Sequence, residues 1–457
     1  MLPQSRLAPD QERSVVRCAM TKYVILISLD WERPQDGRSS LGTASIAASL
    51  KTANIPFDLI EAAVNDHDFD DKAFQQQVMQ QIDLRNSEGH ECLVGIGAFI
   101  WNEPVTQQLT QAIHNSTSAA IVLGGPQISY AKAGDLERLY PFADVFVRGH
   151  GEKAMVALAT GALPDDLGIH FAGQTDLGKK AEYTLEELPS PYLTGILQPG
   201  KKVRWETMRG CPFKCSFCQH RSSTDRYKLK NHQLDFERIV KEARLFAQSG
   251  VERISILDPI FHLDVKRTVE LLILFNEIGL TAELALQCRF ESVKDEFLDA
   301  LRGLNVVLEF GLQTAIENEG KLIGRPNDLT KAEAVIQKLK ARNIRFEVSL
   351  IYGLPGQTLA SFKKSLSWCW EQGVENIRAW PLMILRGTEL DHQREEYGLI
   401  ESSDEAIPHV VASNSFSHTE YLQMQALADA CNPENIQVAH ISNKPPKELN
   451  HAIFYRA

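Results

Sequence analysis

The segment "MRGCPFKCSFCQHR" (208–221) holds three of the chain's eight cysteines, Cys211, Cys215 and Cys218, in the spacing C-x3-C-x2-C. Thiolates grouped in one loop are typical of a metal centre. The residues leave two kinds of centre open. Together with His220 the cysteines would form a Cys3His zinc site, although structural zinc sites usually draw ligand pairs from two separated segments. Three thiolates also suit a [4Fe–4S] cluster with one iron open to a substrate or cofactor.

Charge and hydrophobic patterning narrow the class of protein. The chain has 48 Lys and Arg against 59 Asp and Glu, a net charge of −11, so we expect no nucleic-acid or anionic membrane partner. No apolar run reaches the roughly 18–20 residues of a spanning helix. Residues 1–21 lack the apolar core of a signal peptide and are predicted to be a disordered tail. We therefore expect a cytoplasmic protein with reduced thiols, which favours metal binding over disulfides.

The elements that must position the cysteines come in two series. In the first, apolar runs such as "KYVILISL" (22–29), "CLVGIGAFI" (92–100) and "AAIVLGG" (119–125) predict buried strands, with helices between them. Unbroken apolar strands that alternate with helices indicate a parallel sheet covered on both faces. We therefore predict an α/β, doubly wound Rossmann-like domain over 22–160, with ligands beyond the carboxyl ends of its strands.

The second series has six strands, from "VRWETM" (203–208) to "NIRAWPLMI" (376–384), each followed by a helical pattern or the chain's last region. Six βα units predict a partial (β/α)6 barrel over 201–395, two units short of a closed eight-fold barrel, with an open side. Residues 161–200 are predicted to be a linker with a short helix, and 396–457 a C-terminal region across the open end. The cysteines follow the first barrel strand, at the face where barrel enzymes carry their active sites.

The stretch "CPFKCSFC", with Phe217 before its last cysteine at the end of a first barrel strand, resembles the radical S-adenosylmethionine (SAM) superfamily. The resemblance extends to "EFGLQTAIE" (309–317), "SLIYGLPGQT" (349–358) and "PLMILRGTEL" (381–390). It implies that the three cysteines bind a [4Fe–4S] cluster and that SAM is the fourth ligand. It further implies that one electron, from an external donor such as flavodoxin or ferredoxin, cleaves SAM to a 5′-deoxyadenosyl radical.

The same resemblance implies a set of SAM neighbours. The family's "GGE"-type stretch would fall at "ILDPIFH" (256–262), where the glycines are absent and an aspartate stands instead. That aspartate is either an acidic SAM contact or a turn or N-cap residue. The residues predicted to bind SAM are Phe217, Asp258, Arg289, Glu309, Gln313 and Gly353.

Residues 22–160 resemble the cobalamin-binding-type domain that precedes many radical SAM barrels. The resemblance lies in "SSLGTASIAASLK" (39–51), "GIGAFIWN" (95–102), "IVLGGPQISY" (121–130) and "VFVRGHGE" (145–152). The D-x-H-x-x-G motif that presents an axial histidine in other cobalamin proteins is absent. The residues predicted to bind cobalamin are Ser40, Leu41, Gly42, Phe99, Trp101, Gly124, Gly125 and Gln127.

Together these resemblances imply an enzyme that methylates an unactivated carbon of a small metabolite, with a [4Fe–4S] cluster, SAM and cobalamin as cofactors. Two alternatives stay open. A first domain without cobalamin would favour a radical enzyme that rearranges or cyclises its substrate without methylation. A zinc-stabilised binding module on α/β scaffolds is the alternative outside enzymes.

Overall fold

The structure is a computed structural model that describes residues 21–32, 40–165, 167–181, 183–220, 229–403 and 405–431. Almost all of the predicted tail, and the end of the predicted C-terminal region from residue 432 onward, lie outside the described residues. In the part of the chain that the structure describes, no helix has the length and apolar character needed to cross a membrane.

The first unit is a six-stranded sheet with helices on both faces. Its strands are β1 (Tyr23–Asp30), β2 (Phe57–Ala63), β3 (Cys92–Gly97), β4 (Ala120–Gly124), β5 (Val145–Val147) and β6 (Ile169–Phe171). Its helices are α1 (Leu41–Thr52), α2 (Asp71–Ser87), α3 (Glu103–Ser116), α4 (Pro126–Ser129), α5 (Leu136–Leu139) and α6 (Glu152–Thr160). The strand order is β2-β1-β3-β4-β5-β6, parallel except for the antiparallel last pair.

Strand β1 shows why the apolar runs of this unit are unbroken. Ile25 and Ile27 pack into one apolar layer, and Val24 and Leu26 pack into a second layer on the other face of the sheet. Both faces of a parallel sheet are covered by helices, so alternation between apolar and polar residues is lost. The predicted doubly wound sheet is confirmed.

One strand of this sheet lies where a linker was predicted. Residues 169–171 pair antiparallel with β5, and the described residues of 161–200 contain no helix. A three-residue edge strand leaves no periodic pattern in the sequence, because its pairing depends on a partner strand rather than on its own residues.

The second unit is a partial barrel of six parallel strands. They are β7 (Lys202–Trp205), β8 (Arg253–Ile256), β9 (Glu283–Cys288), β10 (Val306–Gln313), β11 (Arg345–Tyr352) and β12 (Ile377–Pro381), paired in sequence order. The helices between them are α7 (Phe236–Gln248), α8 (Val265–Glu277), α9 (Asp295–Ala300), α10 (Glu317–Leu322), α11 (Leu329–Ala341) and α12 (Leu359–Glu371). The edge strands of the sheet are therefore β7 and β12, which confirms the predicted (β/α)6 arrangement.

The segment after the barrel packs on the side of β12. It comprises α13 (Glu389–His392), the antiparallel pair β13 (Ile400–Glu401) and β14 (Val410–Ala412), and α14 (His418–Cys431). Helix α14 contacts β11, β12 and α12, and its Tyr421 and Met424 are buried in the barrel core.

The two units share apolar packing as well as a chain. Leu41 at the start of α1, and Leu185, Leu188 and Tyr192 from the connecting segment, belong to the same buried cluster as Trp205 of β7. Burial of apolar surface between the units favours one fixed arrangement of the two sheets.

A buried contact at β7 gives a stability test. The indole of Trp205 donates to Oε2 of Glu242 at 2.7 Å, and Glu242 is fully buried. Trp205→Phe keeps an aromatic ring beside Phe246 but leaves that oxygen without its donor. We expect the free energy of unfolding to fall by about 1–3 kcal/mol, measured by urea denaturation of the metal-free protein.

The matched control is Trp370→Phe, because the Trp370 side chain is 40% exposed. We expect that change to alter stability by no more than about 0.5 kcal/mol. Equal urea midpoints for the two variants would contradict the role given to the buried indole–carboxylate bond.

Candidate active site

The three cysteines lie in the loop that follows β7, at the carboxyl end of the barrel sheet. The loop is held from the opposite side of the barrel mouth by two backbone bonds. The amide of Ser216 donates to the Ile323 carbonyl at 2.9 Å, and the Ser216 carbonyl accepts from the Leu390 amide at 2.9 Å. The ends of α10 and α13 therefore fix the middle of the loop, between Cys215 and Cys218.

The three thiols lie within one short loop, at 211, 215 and 218. Cys215 is buried, Cys211 and Cys218 are half-buried, and none is in a disulfide. Burial raises the pKa of Cys218 to about 11, the other two cysteines add to the rise, and Arg325 opposes it. His220, which would be the fourth ligand of a zinc site, is exposed. Among the described residues, no three His, Cys, Asp or Glu side chains have the arrangement of a site for one metal ion.

Arg325 is a site residue that the sequence patterns missed. It is 9% exposed, and its Nη1 lies 3.7 Å from Sγ of Cys215 while its Nη2 donates to the Gly311 carbonyl. Its turn approaches the cysteine loop closely, since a Cβ on Gly324 would lie 2.8 Å from the Lys214 carbonyl. The sequence signal is only the short run "GRPN", which is typical of a turn.

Gln313 ends β10 in the left-handed backbone region, with φ of 70°. The Asn327 side chain holds this conformation, because its Nδ2 donates to the carbonyls of Leu312 at 2.7 Å and Thr314 at 2.8 Å. A non-glycine residue in this region is strained and is typical of functional sites. The predicted SAM contact thus lies at the barrel mouth on a backbone that the neighbouring loop stabilises.

Two other predicted SAM neighbours lie at different depths. Gly353 has φ of 90°, follows β11, and donates its amide to Oε1 of Gln357 at 2.7 Å. Glu309 lies four residues before Gln313 on the same strand, about 13 Å deeper at the rise of a β-strand. It faces Arg253 at 3.8 Å. Gly353 is therefore at the mouth, whereas Glu309 belongs to the charged interior of the barrel.

Asp258 positions the entrance to the cysteine loop. It is fully buried and accepts from the Thr207 amide at 2.7 Å, the Thr207 hydroxyl at 2.5 Å and the Met208 amide at 3.1 Å. Burial raises the pKa of Asp258 to about 6 although the bonds from Thr207 oppose the rise. Both carboxylate oxygens are engaged by the loop, and contact with SAM stays a prediction.

Arg289 and Phe217 pack around the same loop. The Arg289 guanidinium lies 4.0 Å from the centre of the Phe213 ring, and its Nε donates to Glu291 at 2.9 Å. Phe217 is half-buried against the barrel core. Arg289 therefore contacts the cysteine loop from the end of β9, and Phe217 packs the loop itself against the barrel core.

The residues predicted to bind cobalamin gather at the carboxyl edge of the first sheet, on the segments after β1, β3 and β4. Ser40 caps α1 by accepting from the Thr43 amide, and a Cβ on Gly42 would meet no atom within 4 Å. Leu41 instead packs into the barrel core. Phe99 and Trp101 stack with ring centres 4.5 Å apart and planes 14° apart.

The β4 end of this edge is built by backbone packing. A Cβ on Gly125 would lie 2.7 Å from the Ala98 carbonyl, so the turn needs glycine. Gly124 has more room, with the Val147 carbonyl 3.8 Å from such a Cβ. Gln127 is buried, and its side-chain Nε2 donates to Oε2 of Glu103 at 2.5 Å. This hydrogen bond holds the side chain of Gln127 at the edge of the sheet.

The first unit's edge faces the cysteine loop directly. The Tyr130 hydroxyl, after α4, donates to the carbonyl of Gln219, the residue that follows Cys218. The amine of Lys180 lies 3.8 Å from the centre of the Tyr130 ring. Burial, with a smaller effect of the Arg148 charge, lowers the pKa of Lys180 to about 8. No motif marks Lys180, because its position depends on the path of the connecting segment.

Residues 205–369 match the family model of the Radical SAM superfamily. That range begins at the last residue of β7, contains the cysteine loop and ends within α12, so it covers the part of the barrel that carries the site. Residues 205–369 therefore carry a radical SAM domain, which confirms the resemblance predicted from the sequence.

Relatives of this chain include the cobalamin-dependent radical SAM methyltransferase TokK of Streptomyces tokunonensis, 26% identical over 390 residues. The match covers 78% of this chain and 55% of TokK. The 2-(S-pantetheinyl)-carbapenam-3-carboxylate methyltransferase of Streptantibioticus cattleyicolor is 23% identical, with 72% and 55% covered. The chain spans about half the length of these curated relatives, and its predicted similarity to cobalamin-dependent radical SAM proteins is confirmed.

The solved structures show a common fold over both units. The cobalamin-dependent SAM radical enzyme OxsB, solved with aqua-cobalamin, aligns with a TM-score of 0.67 over 93% of this chain and 69% of its own, at 15% identity. The radical SAM methyltransferase TsrM of Kitasatospora setae aligns with a TM-score of 0.63 over 84% and 77%, at 14% identity. At these identities the likeness concerns the fold alone.

The position of Asp258 predicts a defect in cluster assembly. In Asp258→Asn an amide nitrogen would replace one of the two acceptor oxygens, so the loop entrance would lose part of its anchorage. We expect iron per chain after anaerobic reconstitution to fall by about threefold or more while circular dichroism stays unchanged. Asp70→Asn, at the N-cap of α2 in the first unit, is the control and should retain its iron. Equal iron in both variants would refute the anchoring role.

Lys180 predicts an unusual labelling profile. With its pKa near 8, its acetylation by acetic anhydride, followed by mass spectrometry and scaled to its own plateau, should reach half-maximum at about pH 8. Lys201 is the internal control, since its pair with Glu252 raises its pKa above the ordinary value. A Lys180 profile that rises in parallel with that of Lys201 would be inconsistent with the buried position.

Proposed function

We propose that this radical SAM protein binds a [4Fe–4S] cluster through Cys211, Cys215 and Cys218, and SAM at the open iron of that cluster. We further propose that it binds cobalamin on the first unit and methylates an unactivated carbon of a small molecule. The observation that carries the proposal is the placement of three thiols in one loop at the mouth of a partial barrel, facing the carboxyl edge of a doubly wound sheet.

The donor set at the mouth fits the iron–sulfur group. Cys215 lies near enough to raise the pKa of both Cys211 and Cys218, and Arg325 beside Cys215 supplies a positive charge in a buried setting. A buried cation favours the thiolate form that metal binding needs. The Nε of Arg325 has no hydrogen-bond partner among the described residues, which leaves one polar atom of this side chain available at the site.

The edge of the first unit fits a large planar cofactor. Gly42 leaves open space at the start of α1, and the stacked pair Phe99–Trp101 offers an aromatic surface after β3. The Trp101 ring is fixed because its Nε1 donates to the Leu29 carbonyl at 3.1 Å. The relatives named cobalamin-dependent, and the OxsB structure with aqua-cobalamin, support cobalamin as the occupant.

When bound, the cluster and SAM supply a 5′-deoxyadenosyl radical and cobalamin supplies a methyl group; an external electron donor such as flavodoxin or ferredoxin supplies the electron. The chain's own residues orient these groups and exclude water. Asp258 fixes the start of the cysteine loop, and the bonds at Ser216 fix its middle. Asn327 holds the backbone on both sides of Gln313, the last residue of β10.

The test is anaerobic purification with hydroxocobalamin supplied, followed by iron, sulfide and cobalt quantification. We expect about four irons and four sulfides per chain, with about one cobalt. Iron without cobalt would reject methylation and favour radical chemistry that rearranges or cyclises the substrate. Zinc in place of iron would reject the whole proposal and favour the binding module.

Because the proposed cluster and cobalamin sites lie on different units, removal of the three thiols should remove iron and leave cobalt. In the triple variant C211A/C215A/C218A we expect iron to fall to background while cobalt stays at the wild-type level, because the thiols lie on the barrel and the predicted cobalamin residues on the first unit. The readouts are metal analysis and the visible spectrum. Cys431→Ala, in α14, is the matched control and should keep both metals. Retained iron in the triple variant would contradict the assignment of the cluster ligands.

A further inference from the structure

The first unit is tied to the barrel by a network around Arg209, which lies between β7 and the first cysteine. Its Nη1 donates to Glu152 at 2.6 Å and its Nη2 to Glu206 at 2.6 Å. Glu152 starts α6 of the first unit and also accepts from the Ser45 hydroxyl at 2.9 Å and the Tyr183 hydroxyl at 3.1 Å. This Arg209 network thus joins α1, α6, the connecting segment and the cysteine loop.

The central carboxylate of the Arg209 network stays ionised. Burial alone would raise the pKa of Glu152, but the Arg209 charge, followed by that of His150, outweighs burial and lowers the pKa to about 2. A carboxylate whose pKa is lowered in the folded state stabilises that state above its ordinary pKa. The contribution is lost only as the pH falls from about 4.5 towards 2. The ion pair between Glu152 and Arg209 therefore persists at neutral pH.

A second network surrounds Arg386, which follows β12. Its Nη2 donates to the Glu103 carboxylate at 2.9 Å, and its Nη1 donates to the Gln127 carbonyl at 3.0 Å. Glu103 also accepts from the Tyr140 hydroxyl at 2.6 Å. The Arg386 carbonyl accepts from the side chain of Gln219 at 2.8 Å. This Arg386 network joins the β12 side of the mouth to α3, the β4 turn and the end of the cysteine loop.

The two networks lie at opposite edges of the barrel sheet. Arg209 follows β7 and Arg386 follows β12, and these are the two edge strands. A single contact between the two units would allow the first unit to rotate about that contact. Contacts at both edges of the barrel sheet fix the orientation of the first unit over the mouth. The close approach at Gly387, where a Cβ would overlap the Tyr130 carbonyl, shows that the second contact is tight.

We propose that the Arg209 and Arg386 networks are positioning devices that set the first unit's carboxyl edge at a fixed distance from the cysteine loop, with Arg386 a positioning residue for chemistry between the two. The inference deepens the proposed function and rests on it, because it concerns transfer between a group on the barrel and a group on the first unit. Arg386 is the residue to test, since Arg209 is too near the cluster ligands to separate docking from cluster binding.

The first experiment needs no cofactor. Hydrogen–deuterium exchange of the metal-free full chain compares Arg386→Gln with wild type and with Arg394→Gln. The control Arg394 pairs with Asp391 and Glu401 within the C-terminal segment and contacts no residue of the first unit among its described ion pairs. We expect exchange to quicken by about tenfold at the hydrogen-bonded amides of Thr106 and of 127–130 in Arg386→Gln alone. Unchanged exchange there would overturn the proposal.

The second experiment uses the loaded enzyme without substrate, reduced with titanium(III) citrate. Release of 5′-deoxyadenosine requires the barrel alone. Release of S-adenosylhomocysteine requires the SAM methyl group to leave for the reduced cobalamin, with sulfur keeping the electron pair of the broken bond, and therefore requires both units. In Arg386→Gln we expect S-adenosylhomocysteine to fall at least about tenfold, 5′-deoxyadenosine to stay within about twofold, and iron and cobalt to be unchanged.

A parallel fall of both products would show that Arg386 acts in folding or SAM binding, and would overturn the positioning role; so would two unchanged products. Glu103→Gln should reproduce the Arg386→Gln effect, and the double variant should lose no more than either single variant. If the wild type binds no cobalt, the proposed function fails, whereas the exchange experiment still decides whether the Arg386 network docks the first unit.

Discussion

The proposed chemistry of this chain depends on holding three thiols in one short loop at the end of an edge strand. A loop in that position has a partner strand on one side only, so it must be fixed by other means. Here it is fixed at three levels. Asp258 binds its entrance from β8, the carbonyl of Ile323 binds its middle from α10, and Tyr130 of the first unit binds its end. Each anchor is a hydrogen bond to the backbone of the loop, which sets position without using the thiols.

The open barrel explains why a second unit is required at this place. Six parallel strands leave β7 and β12 as the two edges of the sheet. The first unit contacts the residues that follow each of these strands, through Arg209 and Arg386. It therefore spans the mouth from one edge strand to the other, and Tyr130 at its carboxyl edge contacts the end of the cysteine loop.

The charged side chains around the cysteine loop also contribute to the proposed site. The chain is acidic overall, yet two arginines lie at the cysteine loop: Arg325 lies beside Cys215, and Arg289 packs on Phe213. A cluster held by three thiolates carries negative charge, and cations in a buried setting stabilise that charge more strongly than they would in water. The carboxylates of this region are paired with other arginines. Glu152 accepts from Arg209, and Glu103 accepts from Arg386.

By itself the sequence determined both sheets, the six βα units and the three cysteines, because apolar periodicity and C-x3-C-x2-C spacing are local properties of the chain. It also indicated Gln313 and the Phe99–Trp101 pair through short motifs. Only the tertiary structure decided the roles of Asp258, Leu41 and Gln127, whose side chains turn to the loop backbone, the barrel core and Glu103. Only it showed Arg325, Lys180, β6 and the two interunit networks. Their partners lie tens to hundreds of residues away in the chain, and neither periodicity nor spacing encodes a contact at that separation.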